Sequence, residues 1–465
     1  MSIVYELVKS WHASEGNVTT NEEILAWVAE RNANLKVSIE KTDFSYDGFW
    51  HYDEASGWVR NNNDSFFQLS GIQQLEDGRV VREQPIILQR EVGYLGIICK
   101  RINGVLNFLM QAKIEPGNVN VIQISPTIQA TKSNFTRKHG GKAPSYLEYF
   151  ENSASYRIVV DQLQSEQSSR FLKKRNRNIM ILLDEDVEVE VLPSHRWMTL
   201  GQIKAMMRYD NLVNMDTRTV LSCIPFALSE TEPGELEAMR GLFSDDALFR
   251  SMFKAPDYEA FHRIFNALND GKMYAESDSV RLVPLKALDS WEMSPREIWC
   301  PAGYDFKVIY CKIEIEGREV RYWDQPLVEA LAMYLLGTFT CVEDGVRKFL
   351  VRTLEEMGCF DTVELGPLMQ LEPDNPRNAL TPLESLFMDR LDRGEGVLRD
   401  VILSEEGGRF YHEQNRNVLI EIDRDAVGPL PKGCFWVDFA TLNHMMQFNN
   451  CVNIQLRNLT ALLDM

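Results

Sequence analysis

"WMTLGQIKAMMRYDNLVNMDTR" (Trp197–Arg218) returns without a gap as "WVDFATLNHMMQFNNCVNIQLR" (Trp436–Arg457). "SEQSSRFLKKRNRN" (Ser165–Asn178) returns at the same offset as "SEEGGRFYHEQNRN" (Ser404–Asn417). Further upstream, Gln84-Pro85, Gly96, Gly104, Phe108, Pro126 and Gln129 match Gln325-Pro326, Gly337, Gly345, Phe349, Pro367 and Gln370. Blocks that recur in one order, with only small shifts between them, mark a tandem duplication. A repeat on this scale decides the architecture before any single element is read.

Four segments follow. Residues 1–41 read as a helical lead-in, with a capping box at Thr20-Asn21-Glu22-Glu23 opening one helix. Residues 42–226 form a first module, 227–278 an acidic helical connector, and 279–465 a second module. Within a module, "YLGIICKR" and "VLNFLMQAKI" are β-branched and aromatic runs joined at turns such as Asn103-Gly104. Each module ends helically, with Leu200, Ile203, Met206 or Met207 and Leu212 at helical spacing. The fold class is α+β: two mixed-sheet modules with flanking helices.

The 465-residue chain carries a formal charge of -19, with 45% hydrophobic and 25% charged residues. That excess of acid opposes nucleic-acid binding and a polybasic membrane anchor. No run of about 18 apolar residues occurs, and the first residues lack a signal-peptide pattern. The eight cysteines are scattered, as reduced thiols in a cytoplasmic protein would be.

Against that acidic background "TKSNFTRKHGGK" (Thr131–Lys142) holds four cations and no acid. The matching stretch of the second module brings in Glu372, Asp374 and Glu384 and drops the His-Gly-Gly. Lys132, Arg137 and Lys138, the polar side chains of Ser133, Asn134 and Thr136, and the hinge Gly140-Gly141 make a cradle for an anion such as a diphosphate. Thr127 and Gln129 lie on its approach. His139 is the best candidate base, because neighbouring cations keep an imidazole neutral. Lys113, replaced by Leu354 in the second module, and Tyr146 are candidates for donating a proton or holding an oxyanion. Glu115 is an acid or a loop staple.

A second set of candidates is shared by both modules. Met207, Asn211, Asn214 and Arg218 fall on one helical stripe, repeated as Met446, Asn450, Asn453 and Arg457. The stripe is either a binding wall, with Arg218 or Arg457 clamping phosphate, or an amide-lined contact between modules or subunits. Trp58, Phe66 and Phe67 are candidates to stack on a base, with core packing the alternative for the phenylalanines. Phosphate-loop, dinucleotide, zinc-protease and nucleophile-elbow motifs do not occur, so acid/base chemistry with no metal or redox cofactor is the expectation.

"AKIEPGNVNVIQISPTIQATKSNFTRKHGG", "FWHYDEASGWV", the Asn176-Arg177-Asn178 triplet and the "MMRYDNLVNMDTR" helix resemble the NDP-hexose 2,3-dehydratase family. The resemblance covers nearly the whole chain. It implies a substrate of the dTDP-linked 4-keto-6-deoxyhexose class, two Nudix-like modules of which one is active, a homodimer, and a downstream 3-ketoreductase. It also implies His139 as base toward C3, Lys113 or Tyr146 at the ketone or the leaving group, and Arg177 in substrate binding. The Nudix metal-binding box itself is missing; "TLEEMGC" (Thr353–Cys359) echoes only its tail. A non-catalytic sugar-nucleotide sensor and a divergent Nudix hydrolase stay open as alternatives.

Overall fold

The chain begins with two helices, α1 (Ile3–His12) and α2 (Asn21–Asn34), and a strand, β1 (Val37–Lys41). Thr20 and Glu23 form the reciprocal capping bonds that open α2. Val4, Leu7, Val8 and Trp11, at helical spacing, bury the inner face of α1. The structure, a computed structural model, describes all residues except 45–47, 137–142, 227–230, 276–278, 319 and 374–377, and leaves out the side chains of Ser133 and Asn134.

The first half continues with β2 (Trp50–Asp53), β3 (Trp58–Asn61), β4 (Gln68–Glu76) and β5 (Arg79–Leu88), an antiparallel sheet. Next come β6 (Tyr94–Ile102), β7 (Val105–Ile114), β8 (Ile122–Ser125) and β9 (Ile128–Ala130). Two short helices, α3 (Lys132–Phe135) and α4 (Leu147–Glu151), lead to β10 (Arg157–Ser165), β11 (Arg175–Leu183) and β12 (His195–Thr199). These seven strands form one sheet in the order β10-β11-β6-β7-β12, with β8 on β7 and β9 on β6. The β6–β11 pair is parallel and the others are antiparallel, so the sheet is mixed. Helices α5 (Leu200–Met206) and α6 (Met215–Ser222) close the half, and α7 (Pro233–Arg240), α8 (Asp246–Met252) and α9 (Tyr258–Tyr274) connect it to the second.

The second half repeats the plan. After β13 (Val280–Val283), a sheet of β14 (Glu292–Met293), β15 (Glu297–Trp299), β16 (Phe306–Ile315) and β17 (Tyr322–Ala330) stands for β2 to β5. Then β18 (Tyr334–Glu343), β19 (Val346–Glu355), β20 (Val363–Pro367) and β21 (Met369–Leu371) lead through α10 (Pro382–Arg393) to β22 (Val397–Ser404) and β23 (Phe410–Tyr411). Last come β24 (Gln414–Glu421), α11 (Arg424–Val427), β25 (Cys434–Asp438), α12 (Phe439–Met446) and α13 (Ile454–Thr460). The large sheet of this half reproduces every pairing of the first, including its one parallel pair, β18–β24.

The two leading strands are exchanged. β1 pairs antiparallel with β16 of the second half, Val37 facing Ile315 and Lys41 facing Cys311. β13, which opens the second half, pairs with β4 of the first, Val280 facing Gln74 and Val283 facing Gly71. Each half therefore completes the small sheet of the other, and β1, part of the lead-in read as helical, belongs to the second half's sheet.

The run of Met207, Asn211, Asn214 and Arg218 is not one helical stripe. α5 stops at Met206, Asn211 adopts the left-handed conformation (φ 56°), and Asn214 caps a new helix by accepting the Thr217 amide at 2.8 Å. Asparagine tolerates the left-handed region better than most residues, and Asn450 repeats it at φ 53°. All eight cysteines are free, and no helix is long and apolar enough to cross a membrane among the described residues.

Candidate active site

Strand alternation puts Lys113 and Glu115, at and just beyond the end of β7, on one face. They line a cavity of about 460 Å³ between the first half's large sheet and the β16–β17 hairpin of the second half. Gln129 of β9, Asn176 of β11 and Asp216 near the start of α6 complete its inner end. Phe49, Trp50 and Phe66 form one outer wall and Arg318, Tyr322, Trp323 and Gln325 another; Gly408 and Arg409 also line the cavity, with Arg409 over the Phe66 ring. The cavity is built from both halves of the chain.

The inner end is a fixed ladder of hydrogen bonds. Lys113 Nζ donates to the Gln129 carbonyl at 3.0 Å and stands 3.6 Å from Glu115 Oε1. Gln129 Nε2 donates to Glu115 Oε1 at 2.9 Å, and Asn214 Nδ2 donates to Gln129 Oε1 at 3.1 Å and to Ser125 Oγ at 2.9 Å. The capping role of Asn214 thus locks α6 to the sheet and sets Asp216 in the second position of the helix.

Charge is concentrated at this buried end. Burial, then Glu166, Glu406 and Glu115, push the Asp216 carboxyl well above the usual range, and Lys113 only partly opposes this. Burial lifts Glu406 to about 7 although Arg409, 3.1 Å away, pulls it down. Burial, then Arg409, lower Lys174 to about 8.

The duplication supplies a control. In the second half Gln370 donates to Glu356 at 3.1 Å and Asn453 donates to Gln370 at 2.8 Å, copying the ladder of Gln129, Glu115 and Asn214. Asn415 copies Asn176, and Arg170 copies Arg409, stacked 4.3 Å from the Phe306 ring centroid. Lys113 and Asp216 have no such copies; Leu354 and Gln455 stand in their places.

The family model for NDP-hexose 2,3-dehydratases matches residues 21–224 and again residues 263–463. The chain belongs to this family. A Saccharopolyspora spinosa protein named dTDP-4-dehydro-6-deoxy-alpha-D-glucopyranose 2,3-dehydratase is 39% identical over 457 residues, 97% of this chain and 92% of its own. Proteins of the same name from Amycolatopsis orientalis (35% identical, 97% and 92% covered) and Streptomyces violaceoruber (36%, 96% and 97%) match as fully.

For a 2,3-dehydratase of this family the structure sorts the expected residues. Lys113 and Gln129 line the cavity, as does Thr131 at the root of the basic loop, with Lys132 exposed beside it. Thr136, also exposed, turns its hydroxyl to the Lys132 carbonyl at 2.7 Å. Arg137, Lys138, His139, Gly140 and Gly141 lie outside the described residues, as do the side chains of Ser133 and Asn134.

Other candidates are engaged elsewhere. The Tyr146 hydroxyl donates to the Glu190 carbonyl at 2.8 Å and accepts the Leu192 amide at 3.1 Å, with its ring packed edge-on against buried His195. Thr127 is buried and staples two strands, donating to Leu109 and accepting from the Ile98 amide. Arg177 is held in a two-pronged pair with Asp161 that Arg416 and Asp400 repeat, a fold contact rather than a ligand contact. Trp58 packs on Ile72, Ile86, Leu88 and Met357. Asn211 donates to Gln414 at 2.7 Å, and Arg218 donates to the Ser404 carbonyl at 2.6 Å. Both of the latter contacts tie the halves together, and Arg218 is only 2% exposed.

Of the two phenylalanines, Phe66 reaches the cavity and Phe67 is buried against Trp50. Sequence reasoning missed Trp50, Trp323 and Arg409; the last two join the first half's residues only through the contact between halves. It also passed over Asp216, although "NMDTR" against "NIQLR" shows the Asp-to-Gln difference plainly.

Proposed function

We propose that this protein removes the C2 hydroxyl of dTDP-4-dehydro-6-deoxyglucose as water. The observation that carries the reading is the match to dehydratases of that printed name, at 39% identity in one case and across 97% of this chain. The cavity supports it: one inner wall holds an ammonium that its sister wall replaces with leucine.

The ketone at C4 makes the C3 proton acidic. His139 is proposed as the base that takes it, at the basic loop whose first residue, Thr131, lines the cavity. The charge that develops on O4 needs a cation beside it, and Lys113, pinned by the Gln129 carbonyl, is proposed to supply that. Loss of the C2 hydroxyl then leaves an enol that becomes a 3,4-diketo-2,6-dideoxy sugar; no hydride moves. Lys132, Arg137 and Lys138 are proposed to grip the diphosphate, and the aromatic walls to face the base.

We also infer, from the family resemblance, a Nudix-like ancestry for each half, a cytoplasmic homodimer, and a 3-ketoreductase as the next enzyme. The test is incubation with dTDP-4-dehydro-6-deoxyglucose, a 3-ketoreductase and reduced nicotinamide. A 2,6-dideoxy product supports the dehydratase; release of nucleotide monophosphate supports a hydrolase; an unchanged substrate supports a sensor. His139→Asn is expected to slow turnover by about 10²-fold or more, and near-normal turnover would remove it as the base.

A further inference from the structure

We infer that Asp216 is the acid that protonates the departing C2 hydroxyl, an assignment that rests on the dehydratase reading. Its carboxyl lines the inner end of the cavity and is only 2% exposed. Its Oδ1 is buried with no hydrogen-bond partner among the described residues. A buried carboxylate anion needs donors; a carboxylic acid is itself a donor awaiting an acceptor, and a substrate oxygen fits that need.

The surroundings keep the proton in place. Glu166, Glu406 and Glu115 act on Asp216 together with its burial, and Lys113 is the cation that opposes them. Around this end these three carboxyls and Asp216 lie among the cations Lys113, Lys174, Arg409 and Arg218. An acid held neutral by its setting so that it can donate is an established device of enolate chemistry.

The duplicated half isolates the residue. Gln370, Glu356 and Asn453 preserve the ladder that positions α6 in the first half, yet Gln455 occupies the place of Asp216. Glutamine fills the space and offers no transferable proton. The frame was kept while the acid is present in one half alone, beside Lys113, which is confined to that half as well.

The step balances. A base takes the C3 proton and the electron pair moves into the C4 carbonyl, giving an enolate beside Lys113. The enolate collapses, the C2–O bond breaks, and the Asp216 proton joins the leaving oxygen to make water. The C2–C3 double bond now carries the C3 hydroxyl, and Asp216 is a carboxylate. Tautomerisation returns the O3 proton to Asp216 and puts the base's proton on C2, so both residues are reset.

The experiment uses full-length Asp216→Asn and Asp216→Gln, the latter matching what the second half carries. Folding is followed by circular dichroism, dTDP binding by calorimetry, and deuterium entry at C3 by NMR in heavy water. Either folded variant is expected to bind dTDP within a few-fold of wild type and still exchange the C3 proton. Elimination of water should fall by about 10²-fold or more. With the 2-fluoro analogue of the substrate, whose fluoride departs without a proton, the loss should shrink to under about tenfold. Three results would each overturn the assignment: water loss reduced less than about tenfold, exchange lost together with elimination while dTDP still binds, or no recovery with the fluoro analogue. Absence of any 2-deoxy product from the wild type would instead overturn the dehydratase reading, and this assignment with it.

Discussion

Arg218 Nη2 donates to the carbonyl of Ser404 at 2.6 Å, and the contact joins α6 of one half to β22 of the other. Arg457 answers it from α13, donating to the carbonyl of Ser165 at 2.6 Å. Burial, the largest influence, lowers Arg218 to about 10, while Glu405 favours its charged form. Replacing Arg218 with Met is expected to cost about 2–3 kcal/mol of stability, the worth of a buried charge-assisted bond plus an orphaned carbonyl. Chemical denaturation would read that loss, while KM for the sugar nucleotide should stay within a few-fold. A large rise in KM at full stability would restore Arg218 as a phosphate clamp.

Lys113→Leu converts the cavity wall to what Leu354 presents in the second half. Turnover is expected to drop by at least about 10²-fold, since a preorganised charge at the developing oxyanion is removed. Calorimetric binding of dTDP should be nearly unchanged, because the ammonium is bonded at the inner end, to the Gln129 carbonyl.

Trp323→Ala and Phe66→Ala strip an aromatic face from each outer wall. Each is expected to weaken dTDP binding by about 1–2 kcal/mol, or roughly 5- to 30-fold in Kd, while kcat changes little. Unchanged affinity in both would move the nucleobase to another part of the cavity.

Stability should fall as pH rises through the range where buried carboxyls ionise. Burial pushes Glu364, Glu406 and Glu413 each up to about 7 from an ordinary value of 4.5. Between those two values the folded chain holds protons that the unfolded chain has released, so unfolding gains as pH increases and the trend levels off above about 7. Glu364 offers the cleanest check. Ser165 donates to it at 2.8 Å, its Oε1 has no partner among the described residues, and its counterpart in the first half is Gln123, which donates to Ser404 in the matching contact. Glu364→Gln is therefore expected to be neutral at pH 5 and stabilising at pH 8, with a shallower dependence of Tm on pH. A slope identical to wild type would mean that Glu364 is ionised in the folded protein.

The duplicated fold was legible because a gapless repeat needs no geometry: every pairing of the large sheet recurs, as the aligned blocks imply. The site was legible only in part. Lys113 stood out by its contrast with Leu354, and Asp216 was open to the same comparison. Reading "MMRYDNLVNMDTR" as one helix drew the eye to a stripe of amides instead, and hid the left-handed turn at Asn211. Trp323 and Arg409 carried no signal at all, since their place in the cavity depends on how two halves meet. No periodicity encodes that contact. Tyr146 misled for another reason: a tyrosine near a basic loop looks reactive until both roles of its hydroxyl are seen to be taken.

The swapped strands β1 and β13 have a practical consequence for anyone dividing this polypeptide. Severed between α6 and α7, the amino-terminal fragment would keep β1 with nothing to pair it, and the carboxy-terminal fragment would keep β13 in the same condition. Such bare edges invite aggregation. Expressed separately the fragments should be insoluble; co-expressed they should recombine into an active pair, by size-exclusion chromatography and turnover. A one-copy relative with this connectivity would have to trade strands with a twin to close its sheets.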